Sequence, residues 1–205
     1  MDRLNVYRTH SNVTLPKFAT KQSACFDLSF QSAGKTEYVG YNSYNSPFTR
    51  EITEGRIVIM PGDRVLVPTG YIFDIPEGYS VRIHARSGLS LKQGLILANS
   101  EAVIDSDYID ETMVMLTNIS ENPLTITNGD RIAQAEMVKS EHYTLWEVMG
   151  RPIQKTDRVG GLGSTGVRTP EITELPKGVN LVLEEEPVKR GRGRPKKEPI
   201  AHHQV

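Results

Sequence analysis

The sequence contains a single cysteine, Cys25, and a single tryptophan among its 205 residues. One cysteine excludes an intramolecular disulfide framework and any zinc site built from a cysteine cluster. No apolar run approaches the length of a membrane-spanning helix, and the start MDRLNVYRTHSN lacks the apolar centre of a signal peptide. We therefore expect a soluble, cytoplasmic protein that does not enter a membrane.

An excess of charge of either sign is also missing. The chain has 24 basic and 25 acidic residues, which gives a formal net charge of −1. Any attraction to nucleic acid must therefore come from a local cluster of basic residues rather than from the whole surface. The hydrophobic fraction of 38% is enough for a core, and the length favours one domain with an appendage.

A sustained helical period is absent, and short strand-like runs take its place. From about residue 56 to residue 138, runs rich in Val, Ile, Leu and Tyr are separated by turn signals such as Pro61-Gly62 and Asn128-Gly129. This rhythm predicts an all-β sandwich or barrel. One short helix is expected in SGLSLKQG, with Ser87 as its N-cap and Gly94 ending it in the left-handed conformation.

Two stretches depart from this rhythm. Residues 31–54 are rich in Ser, Asn and Gly and carry four aromatic residues, so we expect a long loop insertion. This loop is either simply solvated or a contact surface for a protein partner that uses the aromatic side chains as anchors. Residues 167–205 contain repeated prolines, mixed charges and no aromatic residue, and we expect a disordered tail there.

Four polar clusters have the composition of a chemical site. The guanidinium of Arg86, the Ser87 hydroxyl and the free amides of a helix start suit a phosphate. The carboxylates of AVIDSDYIDE suit a general base or a metal ligand, although an acidic turn at a strand end has the same composition. The third cluster is NGDRIAQ, which hairpin chemistry alone would also explain. The fourth is the glycine-rich DRVGGLGSTG, whose backbone amides suit phosphates.

The order of five motifs resembles that of the trimeric dUTPase family. The motifs are SACFDL at 23–28, ARSGLS at 85–90, VIDSDY at 103–108, GDRIAQ at 129–134 and GGLGSTG at 160–166. The resemblance implies a distorted jelly-roll β-subunit in a homotrimer, with active sites at subunit interfaces. It places the dUTPase-like domain at residues 1–166, of which about 150–166 would form a mobile glycine-rich arm.

The resemblance also implies a reaction, the Mg²⁺-dependent hydrolysis of dUTP to dUMP and pyrophosphate. Asp105 matches the general base, Tyr108 the ring beneath the deoxyribose, and Asp27 the acidic residue that organises Mg²⁺ indirectly, through water. The resemblance implies further substrate contacts in the body of the domain and on the arm. These are Arg86, Ser87, Gly88, Asn99, Ile104, Gln134, Arg158, Leu162, Gly163, Ser164 and Thr165.

The sequence departs from the family pattern at several positions. Cys25 and Ala102 each stand where the family usually has Gly, and Leu162 stands where a Phe usually stacks on uracil. The general base and the phosphate-binding residues are retained, so we expect an active enzyme. The alternatives are a related dCTP deaminase and a catalytically weak dUTPase-fold protein that acts as a regulatory or DNA-binding protein.

The tail segment KRGRGRPKK, residues 189–197, resembles an AT-hook. Its centre is Arg192, Gly193, Arg194 and Pro195, which would lie in the minor groove of A·T-rich DNA. The alternative is a solvated basic tail. An insertion and an added tail suit a viral or phage member of the family, whose location would be the host cytoplasm.

Overall fold

The computed structural model describes residues 3–157 and residue 160. In this part of the chain the backbone forms thirteen strands and one helix. They are β1 Asn5–Arg8, β2 Phe26–Ser29, β3 Glu37–Tyr41, β4 Pro47–Glu51, β5 Arg56–Ile59, β6 Arg64–Pro68, β7 Tyr71–Asp74, β8 Tyr79–His84, α1 Ser87–Gln93, β9 Leu95–Leu97, β10 Ala102–Ile104, β11 Met113–Asn118, β12 Leu124–Thr127 and β13 Arg131–Lys139.

The strands form four antiparallel sheets. The largest has the order β4-β3-β6-β11-β9 and the next has the order β10-β8-β13-β2, while β1-β7 and β12-β5 are two-stranded. The predicted all-β fold is confirmed. The only helix among the described residues is too short to cross a membrane.

The chain divides into two compact units, residues 1–147 and 148–205. The first unit holds every strand and the helix. In the second unit the described residues, 148–157 and 160, form neither helix nor strand. The predicted domain boundary at residue 166 lies outside the described residues and stays a prediction.

Alternation along the strands builds the core. In β6 the side chains of Val65 and Val67 are buried, and in β8 those of Val81 and Ile83 are buried. Period-two burial places one face of each strand inside, and each buried Val or Ile side chain stabilises the fold by roughly 1.5–3 kcal/mol. The β branches that favour extended backbone thus also supply the apolar core.

The segment 31–54 is a β-hairpin, which corrects the predicted loop. Strand β3 pairs with β4 over its full length and joins the largest sheet through β6. Tyr38 is buried and its hydroxyl donates to the carbonyl of Val58 at 2.6 Å. Gly40 is buried against β6, where an added Cβ would lie 2.4 Å from the Arg64 carbonyl oxygen. This glycine therefore lets β3 pack closely against β6, and the segment forms strands instead of the predicted loop.

An ion pair between a buried carboxylate and a partly buried guanidinium holds this hairpin to the rest of the domain. Arg50 on β4 donates from Nη1 to Asp63 Oδ2 at 2.6 Å, and the same oxygen accepts from the Met60 amide at 3.2 Å. Asp63 is 2% exposed, and the Arg50 guanidinium lies 3.8 Å from the Phe48 ring centroid. Burial lowers the pKa of Arg50, but its bonds with Asp63 and the Tyr38 hydroxyl outweigh this, so the pKa is raised overall.

Replacing Asp63 with Ala should destabilise the protein by about 2–3 kcal/mol, because the partly buried Met60 amide and the partly buried Arg50 guanidinium both lose their acceptor. The measurement is the denaturant midpoint of the purified variant. Arg56→Ala is the matched control, since its pair with Glu54 spans 3.6 Å between exposed side chains and should contribute little. Equal losses for the two variants would contradict the anchoring role of Asp63.

Candidate active site

The register of β13 between β2 and β8 brings the polar residues of distant motifs onto one sheet. Gln134 on β13 lies opposite Asp27 on β2 and opposite His84 on β8. Gln134 is half-buried and donates from Nε2 to the Ala85 carbonyl at 3.2 Å. Side chains that are directly opposite one another on adjacent strands project from the same face of a sheet. This register therefore places the side chains of Asp27 and Gln134 on one face.

Arg86 is fixed beside Asp27 by two further contacts. Its Nε lies 3.1 Å from Asp27 Oδ1, and its Nη1 donates to the Arg131 carbonyl at 3.1 Å. Arg131 in turn donates from Nη1 to Asp27 Oδ2 at 3.0 Å. One carboxylate therefore orients two guanidinium groups, and the remaining N–H groups are free to bind an anion.

These residues line a cleft of about 570 Å³. Its charged lining side chains are Asp27, Arg86, Lys92 and Arg131, so cations outnumber carboxylates by three to one. Ser87, Gly88 and Gln134 line the same cleft. The predicted substrate contacts of two motifs and the predicted Mg²⁺ residue of a third thus meet in one electropositive cleft, which suits a polyphosphate.

Sequence reasoning missed two of the lining cations, Lys92 and Arg131. Arg131 falls inside the motif GDRIAQ, and its position next to the turn was a signal that could have found it. Lys92 lies in the last turn of α1. Its place in the cleft depends on how the helix packs, which a single sequence does not reveal.

A larger groove of about 850 Å³ lies elsewhere, along β3, β4 and β6. Its lining is mainly apolar, with Tyr41, Phe48, Leu66 and Met115, and Arg64 is its single charged residue. Hydrolytic chemistry needs acid, base or phosphate-binding groups in reach of one another. We therefore place the candidate active site in the smaller, charged cleft.

The helix that opens the cleft differs in one respect from the prediction. Gly94 ends α1 with a φ of 70° in the left-handed region, as predicted. The N-cap is Arg86 and not Ser87, and no side chain caps the helix. Ser87 is instead the first helical residue and lines the cleft. The N-cap prediction was wrong by one residue, because a serine is common both at the N-cap and at the first position of a helix.

Gly88 has no structural requirement for glycine within the described chain. An added Cβ would meet no atom within 4 Å, and its φ is not in the left-handed region. A glycine at such an open position, in the first turn of a helix, leaves room for a ligand to approach the backbone amides. The position is therefore consistent with a close phosphate contact.

The cleft fits a magnesium ion that arrives with a polyphosphate. Both oxygens of Asp27 contact guanidinium groups, and each keeps a further lone pair that can accept a hydrogen bond from a metal-bound water. Mg²⁺ retains several waters and is commonly held by one or two carboxylates together with substrate phosphates. The residues present therefore fit an ion whose inner ligands are phosphate oxygens and water.

The predicted catalytic residue lies on a separate turn. Asp105 follows β10 and its carbonyl accepts from the Tyr108 amide at 3.2 Å, which closes the turn. Asp105 is exposed, and neither it nor Tyr108 is among the residues that line the phosphate cleft. In one chain the structure therefore brings the phosphate residues together but does not bring the Asp105 carboxylate among them.

Tyr108 is held as a half-exposed ring. Its hydroxyl donates to the Glu111 carbonyl at 3.1 Å, and the side chain of Glu111 is itself fixed by the Gly70 amide at 2.8 Å and by Lys35 at 2.7 Å. Tyr108 remains 40% exposed. A ring tethered at its hydroxyl in this way presents a fixed face to whatever approaches the turn.

Asn99 lies in the short connection between β9 and β10, and Ile104 is the last residue of β10. Ser100, at the centre of this connection, has a φ of 64°, an unusual value for a residue other than glycine. The two strands do not pair with each other, because β9 pairs with β11 and β10 pairs with β8. Among the described strands β10 has a single partner, so its second edge retains free backbone donors and acceptors.

The remaining predicted contacts lie outside the described residues. They are the arm residues Arg158, Leu162, Gly163, Ser164 and Thr165, and the tail residues Arg192, Gly193, Arg194 and Pro195.

Comparison with known proteins identifies relatives of the chain. Residues 52–166 match the dUTPase family model. The deoxyuridine 5'-triphosphate nucleotidohydrolase of Finegoldia magna is 39% identical over 157 residues, which are 76% of this chain and 94% of that protein. The enzyme of the same name from Caulobacter vibrioides is 34% identical over 166 residues, which are 80% of this chain and 94% of that protein.

Solved structures show the same fold. The dUTPase of Staphylococcus bacteriophage 80alpha with dUPNHPP superimposes with a TM-score of 0.64 at 21% identity, over 82% of this chain and all of that chain. The dUTPase of phage phi11 of S. aureus superimposes with a TM-score of 0.57 at 19% identity, over 73% of this chain and 98% of that chain. The strand arrangement described above is thus shared with both.

Replacing Gly88 with Ala should separate binding from folding. The melting temperature should stay the same or rise slightly, because Ala favours a helix by about 0.5–1 kcal/mol over Gly and the added Cβ meets no atom of the chain. Binding of inorganic triphosphate with Mg²⁺, measured by calorimetry, should weaken at least about tenfold if phosphate lies against this backbone. Leu91→Ala, on the same helix and outside the cleft lining, is the matched control. Unchanged triphosphate affinity in Gly88→Ala would remove this glycine from the site.

Proposed function

The chain belongs to the dUTPase family, and from that premise we propose how its residues share the reaction. The activity is that of a dUTP diphosphatase, which hydrolyses dUTP to dUMP and pyrophosphate with Mg²⁺. One observation supports the assignment of roles: Asp27, Arg86 and Gln134 line the same cleft, and the turn that carries Asp105 does not. A hydrolase needs its phosphate site and its base side by side, so the two parts must be joined by assembly.

The family assembles as a homotrimer, and we place this chain in the same assembly. One subunit would supply the phosphate cleft, and a neighbouring subunit would supply Asp105 and Tyr108. The exposure of Asp105 and the 40% exposure of Tyr108 support this arrangement, because both side chains are accessible to a second chain. Sites shared between copies are a common consequence of cyclic symmetry.

In the proposed reaction Asp105 is the general base. Its carboxylate accepts a proton from a water molecule, whose oxygen attacks the α-phosphorus, and the bond to the bridging oxygen breaks to release pyrophosphate. Arg86 and Arg131 stabilise the negative charge of the phosphate oxygens, and Asp27 keeps both guanidinium groups in position. Asp27 would hold Mg²⁺ through water, and the ion would offset part of the negative charge of the triphosphate.

We assign recognition of the base and sugar to the region around β10. The free edge of β10 at Ile104 would pair its backbone donors and acceptors with the edge of uracil, and Asn99 lies at the preceding turn. Cytosine would leave a polar group unpaired, which typically costs about 1–3 kcal/mol. The tethered ring of Tyr108 would lie beneath the deoxyribose and exclude a ribose 2′-hydroxyl.

We assign closure of the site to the glycine-rich arm. Arg158, Ser164 and Thr165 offer a guanidinium and hydroxyl groups for the γ-phosphate, while Gly163 permits the backbone to approach it. Leu162 would cover the uracil without the stacking that a Phe provides. These roles derive from the family motif that the chain carries.

We also propose a contact surface for a protein partner on the β3–β4 hairpin. Tyr44 is 87% exposed and Tyr41 is 51% exposed, whereas Tyr38 is committed to the core. Exposed tyrosines offer large contact area with little rotamer entropy to lose. The hairpin and the tail both suit a phage enzyme, which would act in the host cytoplasm.

Asp105→Asn should lower dUTP turnover by about 100-fold or more while dUTP still binds, because the amide accepts no proton from water. The measurement is product analysis by chromatography with dUTP, dCTP and UTP, combined with calorimetry of dUTP binding. Turnover comparable with that of the unmodified protein would refute the assignment of the base. Asp107→Asn, in the same turn, is the matched control and should keep most of the activity.

Mixed trimers test whether the site is shared. Asp105→Asn chains and Arg86→Gln chains, unfolded together and refolded as trimers, should regain activity at about a quarter of their sites, because each mixed trimer rebuilds one intact site. Each variant refolded alone should stay inactive. Activity that does not return on mixing would place Asp105 and Arg86 in the same subunit's site.

The AT-hook-like segment predicts DNA binding by the intact trimer. Three linked copies of residues 189–197 raise the effective concentration, so weak single segments would act together. Binding should prefer A·T-rich over G·C-rich duplexes and fall steeply with salt, because Arg192 and Arg194 would occupy a narrow groove and release counterions. Fluorescence titration of both duplexes, with the full chain and with a form ending at Thr169, measures this. Equal affinity for the two duplexes would reduce the segment to a generic basic tail.

A further inference from the structure

Three side chains of the kind that bind transition metals converge beside the phosphate cleft. Cys25, His84 and Glu136 each offer one ligand atom, and these atoms all lie within 4.8 Å of one another. All three side chains are half-buried. None of them has a part in the hydrolysis proposed above.

The strand register explains why residues so distant in sequence meet. Strand β13 lies between β2 and β8, and Ala135 on β13 is opposite Phe26 on β2. Extending this register by one residue brings Glu136 opposite Cys25, which directly precedes β2. His84 is at the end of β8, diagonal to Glu136, on the other side of β13. The fold itself therefore sets the three ligand positions.

The distances suit a tetrahedral metal ion. His84 Nε2 lies 3.2 Å from Glu136 Oε1. Zinc bonds of about 2.0–2.2 Å to nitrogen and oxygen at a tetrahedral angle place such ligand atoms roughly 3.3–3.5 Å apart. The imidazole and the carboxylate, which are hydrogen-bonded in the absence of metal, are thus close to the separation that a shared zinc ion requires, and the Cys25 sulfur lies within 4.8 Å of both ligand atoms.

A second layer of contacts orients the imidazole. His84 Nδ1 lies 3.5 Å from Glu101 Oε1, and Arg82 holds the other oxygen of that carboxylate at 3.4 Å. Metal-binding histidines commonly donate their second N–H to a carboxylate, which fixes the ring and raises the basicity of the ligand nitrogen. Glu101 is placed to serve His84 in this way, with Nε2 directed toward Glu136.

The electrostatics of the cluster also favour a cation. Both oxygens of Asp27 are paired with arginines, whereas Glu136 Oε1 lies 3.2 Å from the imidazole of His84. The carboxylate of Glu136 would offset part of the charge of a divalent cation, which displaces the thiol proton of Cys25 when it binds.

We propose that Cys25, His84 and Glu136 bind a single divalent cation of the zinc class, with a fourth position open to water. Thiolate and imidazole ligands select zinc and similar metals over magnesium, which prefers oxygen ligands in octahedral geometry. The site is therefore distinct from the Mg²⁺ that accompanies the triphosphate. Because Cys25 also lines the phosphate cleft, the bound cation borders the path of the substrate.

Cobalt(II) is the probe of choice, because the chain contains a single cysteine. A thiolate-to-cobalt charge-transfer band in the near ultraviolet can arise only from Cys25. The full-length, untagged protein, freed of metal with a chelator and kept in excess Mg²⁺, should develop this band on titration with Co²⁺ and lose it on addition of Zn²⁺. His202 and His203 of the tail could also bind Co²⁺, but they produce no thiolate band.

Variants test the ligand set. Cys25→Ala should abolish the band. Glu101→Gln, which removes the carboxylate that orients His84, should weaken Co²⁺ affinity by about 10–100-fold. His84→Gln and Glu136→Gln each remove a ligand and should weaken Co²⁺ affinity by more than that. His142→Gln, an exposed histidine outside the cluster, should leave the affinity unchanged. Glu136→Gln preserves the side-chain shape, so it serves as the ligand test if His84→Gln does not fold.

Two outcomes would overturn the proposal. Absence of the thiolate band in the unmodified protein would mean that Cys25 binds no metal of this class. An undiminished band in both His84→Gln and Glu136→Gln would mean that the thiol binds metal with other partners. As an independent readout, Zn²⁺ should raise the melting temperature of the unmodified protein and not that of Cys25→Ala. None of these measurements depends on dUTP hydrolysis, so their failure is distinguishable from failure of the proposed reaction.

Discussion

The antiparallel register of β13 with β2 on one side and β8 on the other determines the chemistry of this domain. It sets Gln134 opposite Asp27 and positions the end of β8, from which Arg86 and the helix α1 follow directly. A shift of one residue would turn every side chain of β13 to the opposite face. The buried alanines Ala133 and Ala135 on the inward face resist such a shift, because polar neighbours would then enter the core. Packing of small residues thus maintains the polar arrangement on the outer face.

This constraint positions the phosphate cleft but not the residue proposed as the general base. The cleft has cations in excess and a glycine against open space, but the carboxylate assigned as base lies on a turn after an edge strand. The cleft's own carboxylate, Asp27, is already paired with Arg86 and Arg131. In the proposed trimer a neighbouring subunit would bring Asp105, on its exposed turn, to this cleft. The two carboxylates would then have separate roles, one orienting the cations and the other accepting a proton from water.

The sequence was sufficient for much of this and insufficient in identifiable places. Strand runs between turn residues predicted the all-β core, and Gly94 predicted the end of the helix. The segment 31–54 was predicted as a loop because the buried residues of β3 are Tyr38 and Gly40, which do not form a recognisable apolar alternation. Gly40 is needed there because an added Cβ would clash with β6. Cys25, His84 and Glu136 could not be grouped, because the smallest sequence separation among them is 52 residues and only the pairing of β13 joins them.

Two neighbouring carboxylates on this sheet have opposite surroundings, and this difference directs two kinds of ligand. Asp27 is neutralised by Arg86 and Arg131, so its vicinity keeps a positive excess and accepts phosphate. Glu136 lies close to an imidazole and a thiol, so its vicinity accepts a cation in the proposed site. Without Arg86 and Arg131 beside it, the carboxylate of Asp27 would face the triphosphate uncompensated, and repulsion between the like charges would weaken binding. In the strand register, Glu136 lies two residues along β13 from Gln134, the partner of Asp27. The register that builds the phosphate cleft therefore also keeps the proposed zinc-class cation apart from the oxygen ligands of Mg²⁺.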